Sequence, residues 1–343
     1  MEIFVLNPIE YPAWDSLIET SHQTTFFHTT AWAQVLSESY GYKPLYFTAL
    51  DNGRLTGIIP VMEIDSFITG KRGVSLPFTD ICHPIAGSDD AFQELLDCLK
   101  QYGHRAGWKH IELRGGSGFL GDAPPFAEHF IHLLMLNGDE GSLIKRFRES
   151  TSRNVRKAER EGVEVSLHHT RDALASFYRL HCLTRRRHGL PPQPWSFFEK
   201  IHEHIIAPQK GFVALAAHGG QPVAGAVYFL YRDRALFKFG ASDRKVQYLR
   251  ANNLVMWEAI RWFCRNGFRS LHFGRTESEN EGLKQFKRGW SAGDGRVAYY
   301  RFDLKQNAFS AGRNNVNPSY PVFKILPMPL LRLAGSVLYR HVG

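Results

Sequence analysis

A strand–helix–strand pattern within residues 234–303 limits the fold of this chain more than any other feature of the sequence. Residues 235–239 are apolar and aromatic and have the length of a β-strand. Residues 254–264 carry apolar side chains at helical spacing, and residues 270–273 predict a second short strand. A β-α-β unit places its ligand in a crevice at the strand ends. The pattern therefore predicts an α/β protein with its functional site in this stretch.

The segment after the second predicted strand contains a candidate catalytic lysine. Lys287 follows Phe286 in a turn rich in glycine and tryptophan, and residues 296–303 supply a closing strand. One interpretation of Lys287 is an ordinary surface cation. The other is a charge held over the crevice, where it stabilises negative charge that develops during a reaction.

The two halves of the chain share one order of predicted elements. The first half has a hairpin over residues 46–64, with Asn52-Gly53 as the turn signal, followed by a helix over 91–105 and a strand. The second half has a hairpin over residues 212–230 before the strand–helix–strand pattern. This similarity indicates an ancient duplication that gives two domains with mixed α/β sheets. We predict a first domain over residues 1–138, a second over residues 139–305 and a tail over residues 306–343.

The net charge of +9 and the pI near 9.4 indicate an anionic partner. Phosphate groups, nucleic acid and an acidic membrane surface all fit that charge. The four cysteines are scattered and none forms a C-x-x-C pair, so we expect no metal site and no disulfide framework. No run of about 18 apolar residues and no secretory signal are visible. These features predict a cytoplasmic protein.

Lysine and arginine are concentrated in a predicted helix over residues 142–162, which carries seven of them. Seven cations exceed what salt bridges along one helix require, so we expect contact with a phosphate-bearing partner. A second cluster ends the predicted helix over residues 174–187, where the helix dipole favours cations in any case. The candidate phosphate-binding residues of the two clusters are Arg153, Arg156, Lys157, Arg185 and Arg186.

The tail differs from the rest of the chain in its composition. Residues 322–333 and 337–340 are apolar, with only sparse arginine and lysine. One interpretation is a helix docked on the body of the protein. The other is an interfacial segment that rests on an anionic membrane and gives peripheral membrane contact.

Several short motifs resemble the FemAB family. They are Ser152-Arg153-Asn154-Val155-Arg156-Lys157-Ala158, Gly240-Ala241-Ser242-Asp243, Phe273-Gly274-Arg275-Thr276 and Phe286-Lys287. The resemblance implies two GNAT-like domains that pass an amino acid from aminoacyl-tRNA to an amine of a peptidoglycan precursor. The chain also resembles FemAB-related proteins associated with exopolysaccharide or envelope biosynthesis.

The resemblance implies roles for residues in both halves of the chain. Lys287 corresponds to the lysine of the late family motif, placed to stabilise the acyl-transfer centre or a tRNA phosphate. The family's acceptor pocket lies largely in its first domain, where the loop at Phe78 to Asp80 is the best local match. A tRNA ester is already activated, so the protein mainly positions its substrates and no cofactor is expected. The further substrate-orienting candidates are Arg275, Thr276 and Asn280, and the candidate proton acceptors are Asp243 and Asp80.

The stretch before the helix of the strand–helix–strand pattern bears on the choice of donor. Acetyl-CoA enzymes carry an R/Q-x-x-G-x-G/A turn at this point, whose backbone N–H groups hold the pyrophosphate. Residues 247–253 contain no glycine, and Asn252 or Asn253 is the predicted N-cap of the helix. Side chains that crowd a pyrophosphate disfavour acetyl-CoA, although the side chain of Arg250 remains able to bind a phosphate.

Two alternatives to aminoacyl-tRNA chemistry remain open from the sequence. The first is an acyl-CoA-dependent N-acyltransferase that modifies an amino sugar during exopolysaccharide synthesis. The second is a non-catalytic module that binds RNA or a membrane. Lys287 distinguishes the second alternative from an enzyme, because only an enzyme requires this side chain for its activity.

Overall fold

The computed structural model describes residues 2–312 and 320–343. The strands, in chain order, are β1 (Glu2–Leu6), β2 (Lys43–Asp51), β3 (Arg54–Ile64), β4 (Arg72–Val74), β5 (Ile85–Ala86), β6 (His110–Arg114), β7 (Ala127–Met135), β8 (Glu164–His168), β9 (Gly211–His218), β10 (Gln221–Tyr231), β11 (Arg234–Ser242), β12 (Ser270–Thr276), β13 (Gly293–Asp303) and β14 (Ala308–Phe309). The α-helices are α1 (Trp14–Glu19), α2 (Thr30–Tyr40), α3 (Asp89–Arg105), α4 (Ser117–Leu120), α5 (Glu140–Arg146), α6 (Glu149–Arg160), α7 (Arg171–Arg187), α8 (Trp195–Ile201), α9 (Ala251–Arg265), α10 (Glu281–Arg288), α11 (Pro321–Ile325) and α12 (Met328–Val342). Short 3₁₀ turns lie at Phe26–His28 and Arg244–Leu249, and a π-helical turn at His202–Ile206 extends α8.

The chain forms two compact units whose limits differ from the predicted domain boundaries. The first unit comprises Met1–His129, Arg296–Val316 and Val337–Gly343, and the second comprises Phe130–Gly295 and Asn317–Ser336. The sequence predicts the closing strand in the second domain. Residues 299–303 of β13 instead pair with β6 of the first unit, as in the register Phe302↔Ile111. Long-range strand pairing therefore returns the chain to the first unit, which local sequence signals do not reveal.

The first unit is built on a sheet in the order β1-β2-β3-β4-β6-β13. The β2–β3 hairpin turns at Asn52 and Gly53, whose positive φ angles of 49° and 74° suit this residue pair. Helix α3 begins at the N-cap Ser88, whose hydroxyl accepts a hydrogen bond from the Ala91 amide at 3.2 Å. Its apolar face packs on the sheet, and residues such as Leu95 are fully buried.

The second unit has the sheet order β7-β12-β11-β10-β9-β8, with β7 contributing from Phe130 onward. Its β9–β10 hairpin turns at Gly219 and Gly220, again with two positive φ angles, of 56° and 74°. Helix α9 packs on this sheet with an apolar face that includes the fully buried Ile260 and Phe263. The hydrophobic core of the unit thus forms around the strand–helix–strand pattern that the sequence singles out.

The two units repeat one arrangement, as the sequence predicts. In the first unit β4 and β6 run parallel, and α3 lies between them in the chain. In the second unit β11 and β12 run parallel, and α9 lies between them. Each parallel pair follows an antiparallel hairpin. The predicted mixed α/β architecture is confirmed.

The basic segment predicted as one helix over residues 142–162 is two helices, α5 and α6, with a break at Phe147 and Arg148. Phe147 is extended, with φ −69° and ψ 151°, and it is only 5% exposed. Its ring lies against Trp257 and Trp290, with centroid distances of 5.6 and 5.1 Å. Burial of this aromatic ring against two distant tryptophans favours the break over continuation of the helix.

The tail forms the helices α11 and α12. Within the described residues, no helix is both long and apolar enough to cross a membrane.

Candidate active site

The strands β11 and β12 separate towards their C-terminal ends. Their parallel pairing covers only the register from Arg234↔Ser270 to Leu236↔His272, although β11 continues to Ser242. At that end the Ser242 amide donates to the Thr184 hydroxyl at 3.1 Å, and the same hydroxyl donates to the Ser242 carbonyl oxygen at 3.3 Å. Helix α7 thereby occupies backbone groups that a neighbouring strand would otherwise bind. The two strands leave a gap at the site that a β-α-β unit offers to a ligand.

A bulge shapes the β12 side of this gap. The antiparallel register between β12 and β7 shifts between His272 and Arg275. Gly274 lies in the shifted part with a φ of 71°, a left-handed value that favours glycine. A bulge interrupts the hydrogen bonding between strands, so backbone carbonyl groups of β12 become available to other donors.

Lys287 donates to these carbonyl groups. Its ammonium nitrogen lies 3.0 Å from the carbonyl oxygen of Gly274 and 3.0 Å from that of Arg275. The residue belongs to α10 and is 2% exposed, so the expectation that Lys287 lies in a turn is wrong. A buried, fixed positive charge therefore lies at the end of β12, where it interacts strongly with any negative charge that develops nearby.

A cavity of about 410 Å³ opens at the end of β11. Its walls come from the start of α6, the end of β11, the 3₁₀ turn with the start of α9, and one face of α10. The polar lining residues are Arg148, Ser150, Thr151, Asn154, Ser242, Asp243, Gln247, Arg250, Asn252, Asn253 and Gln285. Phe286 also lines the cavity, while Lys287 next to it reaches β12, so α10 connects the cavity wall to the buried charge.

The start of α9 differs in detail from the prediction. Arg250, rather than Asn252 or Asn253, is the N-cap residue, and it holds a left-handed φ of 59° without being glycine. The side-chain Nδ2 of Asn252 donates to the Ser242 hydroxyl at 3.0 Å and so connects α9 to β11. The glycine-free stretch expected to crowd a phosphate thus lines an open cavity at a helix N-terminus, which attracts anions.

Two of the predicted site residues form helix caps. The Asp243 carboxylate accepts from the Lys245 amide at 2.9 Å, which caps the 3₁₀ turn while the residue still lines the cavity. The Asn280 side chain accepts from the Leu283 amide at 3.1 Å and caps α10. Asn280 is exposed and does not line the cavity, and the contact that the structure shows for its side chain is this cap.

The other two candidates on β12 differ in exposure. Thr276 is 1% exposed, and its hydroxyl has no hydrogen-bond partner among the described residues. Arg275 is half-buried, and its guanidinium lies 3.6 Å from the carboxylate of Glu277. Both residues follow the bulge, on the strand end that Lys287 holds.

The predicted phosphate-binding residues occupy two separate helices. On α6, Arg153 and Arg156 are exposed and Lys157 is half-buried, and none of the three lines the cavity. Arg148 and Asn154 of the same segment do line it. The half-buried Arg185 and Arg186 end α7, and Arg185 donates to the Pro191 carbonyl oxygen at 3.2 Å.

Phe78 and Asp80 lie in a buried loop of the first unit. Leu76 and Phe78 hold left-handed φ angles of 49° and 60°, which non-glycine residues adopt at a cost in energy. The Arg114 guanidinium donates to the Leu76 carbonyl oxygen at 3.3 Å, and the Tyr299 hydroxyl donates to that of Asp80 at 2.7 Å. The loop is thus a strained segment held by contacts with its own unit.

Sequence reasoning missed a histidine–aspartate pair in the second unit. The His132 Nδ1 atom lies 2.9 Å from an Asp294 carboxylate oxygen, and the Arg288 Nε donates to the other oxygen at 2.7 Å. Burial and the nearby Lys287 charge lower the pKa of His132, against the opposing influence of Asp294. The hydrogen bond with Arg288 lowers the pKa of Asp294. The partners are 162 positions apart, and no local motif marks them.

Comparisons with known proteins concern the fold. Residues 145–288 match the family described as Acetyltransferase (GNAT) domain. No curated protein matches the sequence. Among solved structures, the fold is similar to that of FemX, with a TM-score of 0.70 and 14% identity, over 87% of this chain and 97% of that chain.

Two further solved structures share the fold at lower similarity. The C-terminal domain of a putative lysylphosphatidylglycerol synthetase from Agrobacterium fabrum has a TM-score of 0.55 and 11% identity, over 85% of this chain and 90% of that chain. A tandem GNAT protein from the clavulanic acid biosynthesis pathway has a TM-score of 0.56 and 10% identity, over 88% of this chain and 98% of that chain. The prediction of two GNAT-like domains is confirmed.

Proposed function

Because residues 145–288 match the acetyltransferase (GNAT) domain family and the fold is similar to that of FemX, we propose that this chain is a FemAB-related acyltransferase. It transfers an aminoacyl group from aminoacyl-tRNA to an amine of a cell-envelope precursor. One observation carries the proposal: the buried Lys287 charge lies at the gap between β11 and β12, beside a polar cavity. A transferase that receives an activated ester needs a positioned carbonyl group and a fixed charge for the oxyanion, and it needs no cofactor.

Arginine side chains in and near the cavity are the proposed binding groups for the phosphates of the donor. Arg148 and Arg250 line the cavity, and Arg153 and Arg156 are exposed on the helix that Arg148 precedes. Together they offer charge both to the acceptor end of a tRNA and to its backbone. A nucleic-acid donor of this kind binds mainly through its phosphates, so its affinity depends strongly on salt.

The reaction proceeds by direct attack of the acceptor amine on the ester carbonyl carbon. A C–N bond forms, the carbonyl oxygen takes up negative charge, and the C–O bond to the terminal ribose then breaks. The amine loses one proton and the ribose oxygen gains one, so the products are an amide and uncharged tRNA. Lys287 stabilises the oxyanion by its positive charge. Its hydrogen bonds also offset the partial negative charge of two carbonyl oxygens, which would repel the oxyanion.

We propose that the acceptor binds at the strained loop of the first unit. Strained backbone at non-glycine residues persists only where the surrounding structure holds it, and such residues cluster at active sites and ligand sites. Leu76 and Phe78 carry such strain, and Arg114 holds the loop while it bonds Glu112 at 3.1 Å. An envelope precursor with a negatively charged part fits the positive charge of the chain.

Acyl-CoA is the second candidate donor, and one observation favours it. The cavity lies at the N-terminus of the 15-residue helix α9, and Arg250 adopts there the left-handed conformation that glycine favours. A helix N-terminus attracts a pyrophosphate. On this alternative the enzyme acylates an amino sugar during exopolysaccharide synthesis.

A donor exchange separates the two candidates. The purified chain is incubated with a mixture of envelope precursors and either radiolabelled aminoacyl-tRNA or radiolabelled acetyl-CoA. The proposal predicts label in an amide product only from the tRNA, and retention of that activity when coenzyme A is absent. Transfer from acetyl-CoA alone would establish the alternative and contradict the proposal.

A further inference from the structure

The start of the tail presents apolar side chains to solvent on the second unit. Val322 is 51% exposed, Ile325 is 82% exposed, Leu330 is 52% exposed and Leu333 is 61% exposed. Tyr320 beside them is 49% exposed. Solvent exposure of large apolar side chains on one short segment marks an interaction surface rather than ordinary surface composition. We call these five residues the tail surface.

The segment that carries the tail surface is anchored, so its exposure is not the result of a loose end. Leu331 is fully buried, and the Arg332 guanidinium lies 5.2 Å from the Tyr178 ring centroid. A Cβ atom at Gly335 would lie 2.0 Å from the Pro192 carbonyl oxygen, so α12 lies against the body there. Leu331 and Gly335, four positions apart, lie on the packed side of α12, while Leu330 and Leu333, three positions apart, lie on its exposed side.

The tail carries positive charge and no acidic side chain, which favours an anionic partner. No aspartate or glutamate follows Asp303 in the sequence. Lys324 is exposed between Val322 and Ile325 of the tail surface. The Tyr320 amide donates to the Gly189 carbonyl oxygen at 3.0 Å, which brings the tail to the arginine-rich end of α7.

From these observations we infer that the tail surface docks on an anionic lipid bilayer. Apolar side chains enter the boundary between headgroups and acyl chains, while Lys324 contacts the lipid phosphates at the same level. A folded protein partner is the less suitable occupant, because the tail surface is a narrow set of side chains with the cation Lys324 among them. The inference is independent of the proposed donor and acceptor, since it concerns neither the cavity nor Lys287.

Vesicle co-sedimentation of the full chain tests the inference. Vesicles of phosphatidylcholine alone are compared with vesicles that also contain phosphatidylglycerol. We expect binding to the anionic vesicles and about tenfold weaker binding after the double change Ile325→Ser and Leu333→Ser. Lys324→Glu should weaken binding by about tenfold at low salt and by less at high salt.

Two matched controls keep the outcome interpretable. Val5→Ser removes an apolar side chain that is 39% exposed in the first unit, and Arg160→Glu reverses an exposed cation at the end of α6. Both variants should bind anionic vesicles like the unchanged chain. Absence of vesicle binding by the unchanged chain would overturn the inference, as would equal binding by the double variant. A double variant that loses self-association instead, in analytical ultracentrifugation, would show that the surface joins two copies of this chain.

Discussion

The ammonium group of Lys287 lies 3.0 Å from the carbonyl oxygen of Gly274, a glycine that the β12 bulge holds at a φ of 71°. The contact joins a helix-borne charge to the strand end at which β11 and β12 no longer pair. Because the lysine is 2% exposed, its charge is poorly screened by water. Strand, bulge and lysine together create a positive potential at one point of the second unit.

The first prediction concerns this lysine. Lys287→Met should lower kcat by about 100-fold, since it removes a charge that acts on the transition state. It should also lower the free energy of unfolding by about 1–3 kcal/mol, because two buried carbonyl groups lose their donor. Steady-state kinetics and urea unfolding measure the two effects.

Lys284→Met is the matched control for Lys287→Met. Lys284 is 6% exposed on the same helix, and it donates at 2.8 Å to the carbonyl oxygen of Ser278, which lies beyond the last residue of β12. This variant should lose stability without a comparable loss of kcat. Equal losses of kcat in the two variants would refute a specific electrostatic role for Lys287.

The sequence predicts the local elements well because their signals are local. Asn52-Gly53 marks one hairpin, and the apolar face of α9 marks the central helix. The break at Phe147 and the position of Lys287 depend instead on distant partners. These contacts, like the pair of His132 and Asp294, exist only after the fold has formed.

The second prediction concerns the exposed face of α6. If Arg153 and Arg156 contact tRNA phosphates, the double variant Arg153→Gln and Arg156→Gln should reduce the slope of log K against log salt by about 1.5. Filter binding of tRNA over a range of salt concentrations measures the slope. Arg179→Gln, at an exposed position on α7, is the control and should leave the slope unchanged. An unchanged slope in the double variant would remove α6 from the tRNA interface.

The third prediction uses open space in the cavity wall. Gly282 lines the cavity, and a Cβ atom placed on it would meet nothing within 4 Å. Gly282→Leu should therefore raise KM for the donor about tenfold or more by filling the cavity, while the free energy of unfolding stays equal or rises. Gly282→Ala leaves most of the space and should keep a nearly normal KM. A normal KM for the leucine variant would show that the donor does not use this cavity.

The fourth prediction concerns pH and stability. Burial, together with the Arg185 charge, lowers the pKa of His181 to about 3, against a hydrogen bond with Gln193. The unfolded chain binds a proton near the ordinary histidine pKa of about 6.5, while the folded chain does not. Stability should therefore fall as the pH drops from about 6.5 towards 3, by at most about 1.4 kcal/mol per pH unit for this residue.

His181→Gln isolates this contribution. Urea unfolding of both proteins between about pH 7 and pH 4 should show a shallower loss of stability in the variant. His110 of the first unit, whose pKa burial lowers to about 4, leaves a residual pH dependence in both proteins. Parallel stability curves would mean that His181 takes up a proton in the folded chain as easily as in the unfolded chain.

The most direct measurement is a crystal structure with a short RNA that mimics the acceptor end of tRNA and carries its amino acid through a stable amide. The account predicts the amino acid carbonyl group at the gap between β11 and β12, with the terminal nucleotide against Arg148 and Arg250. Electron density for the amino acid at any other place, with the gap closed by protein side chains, would contradict it.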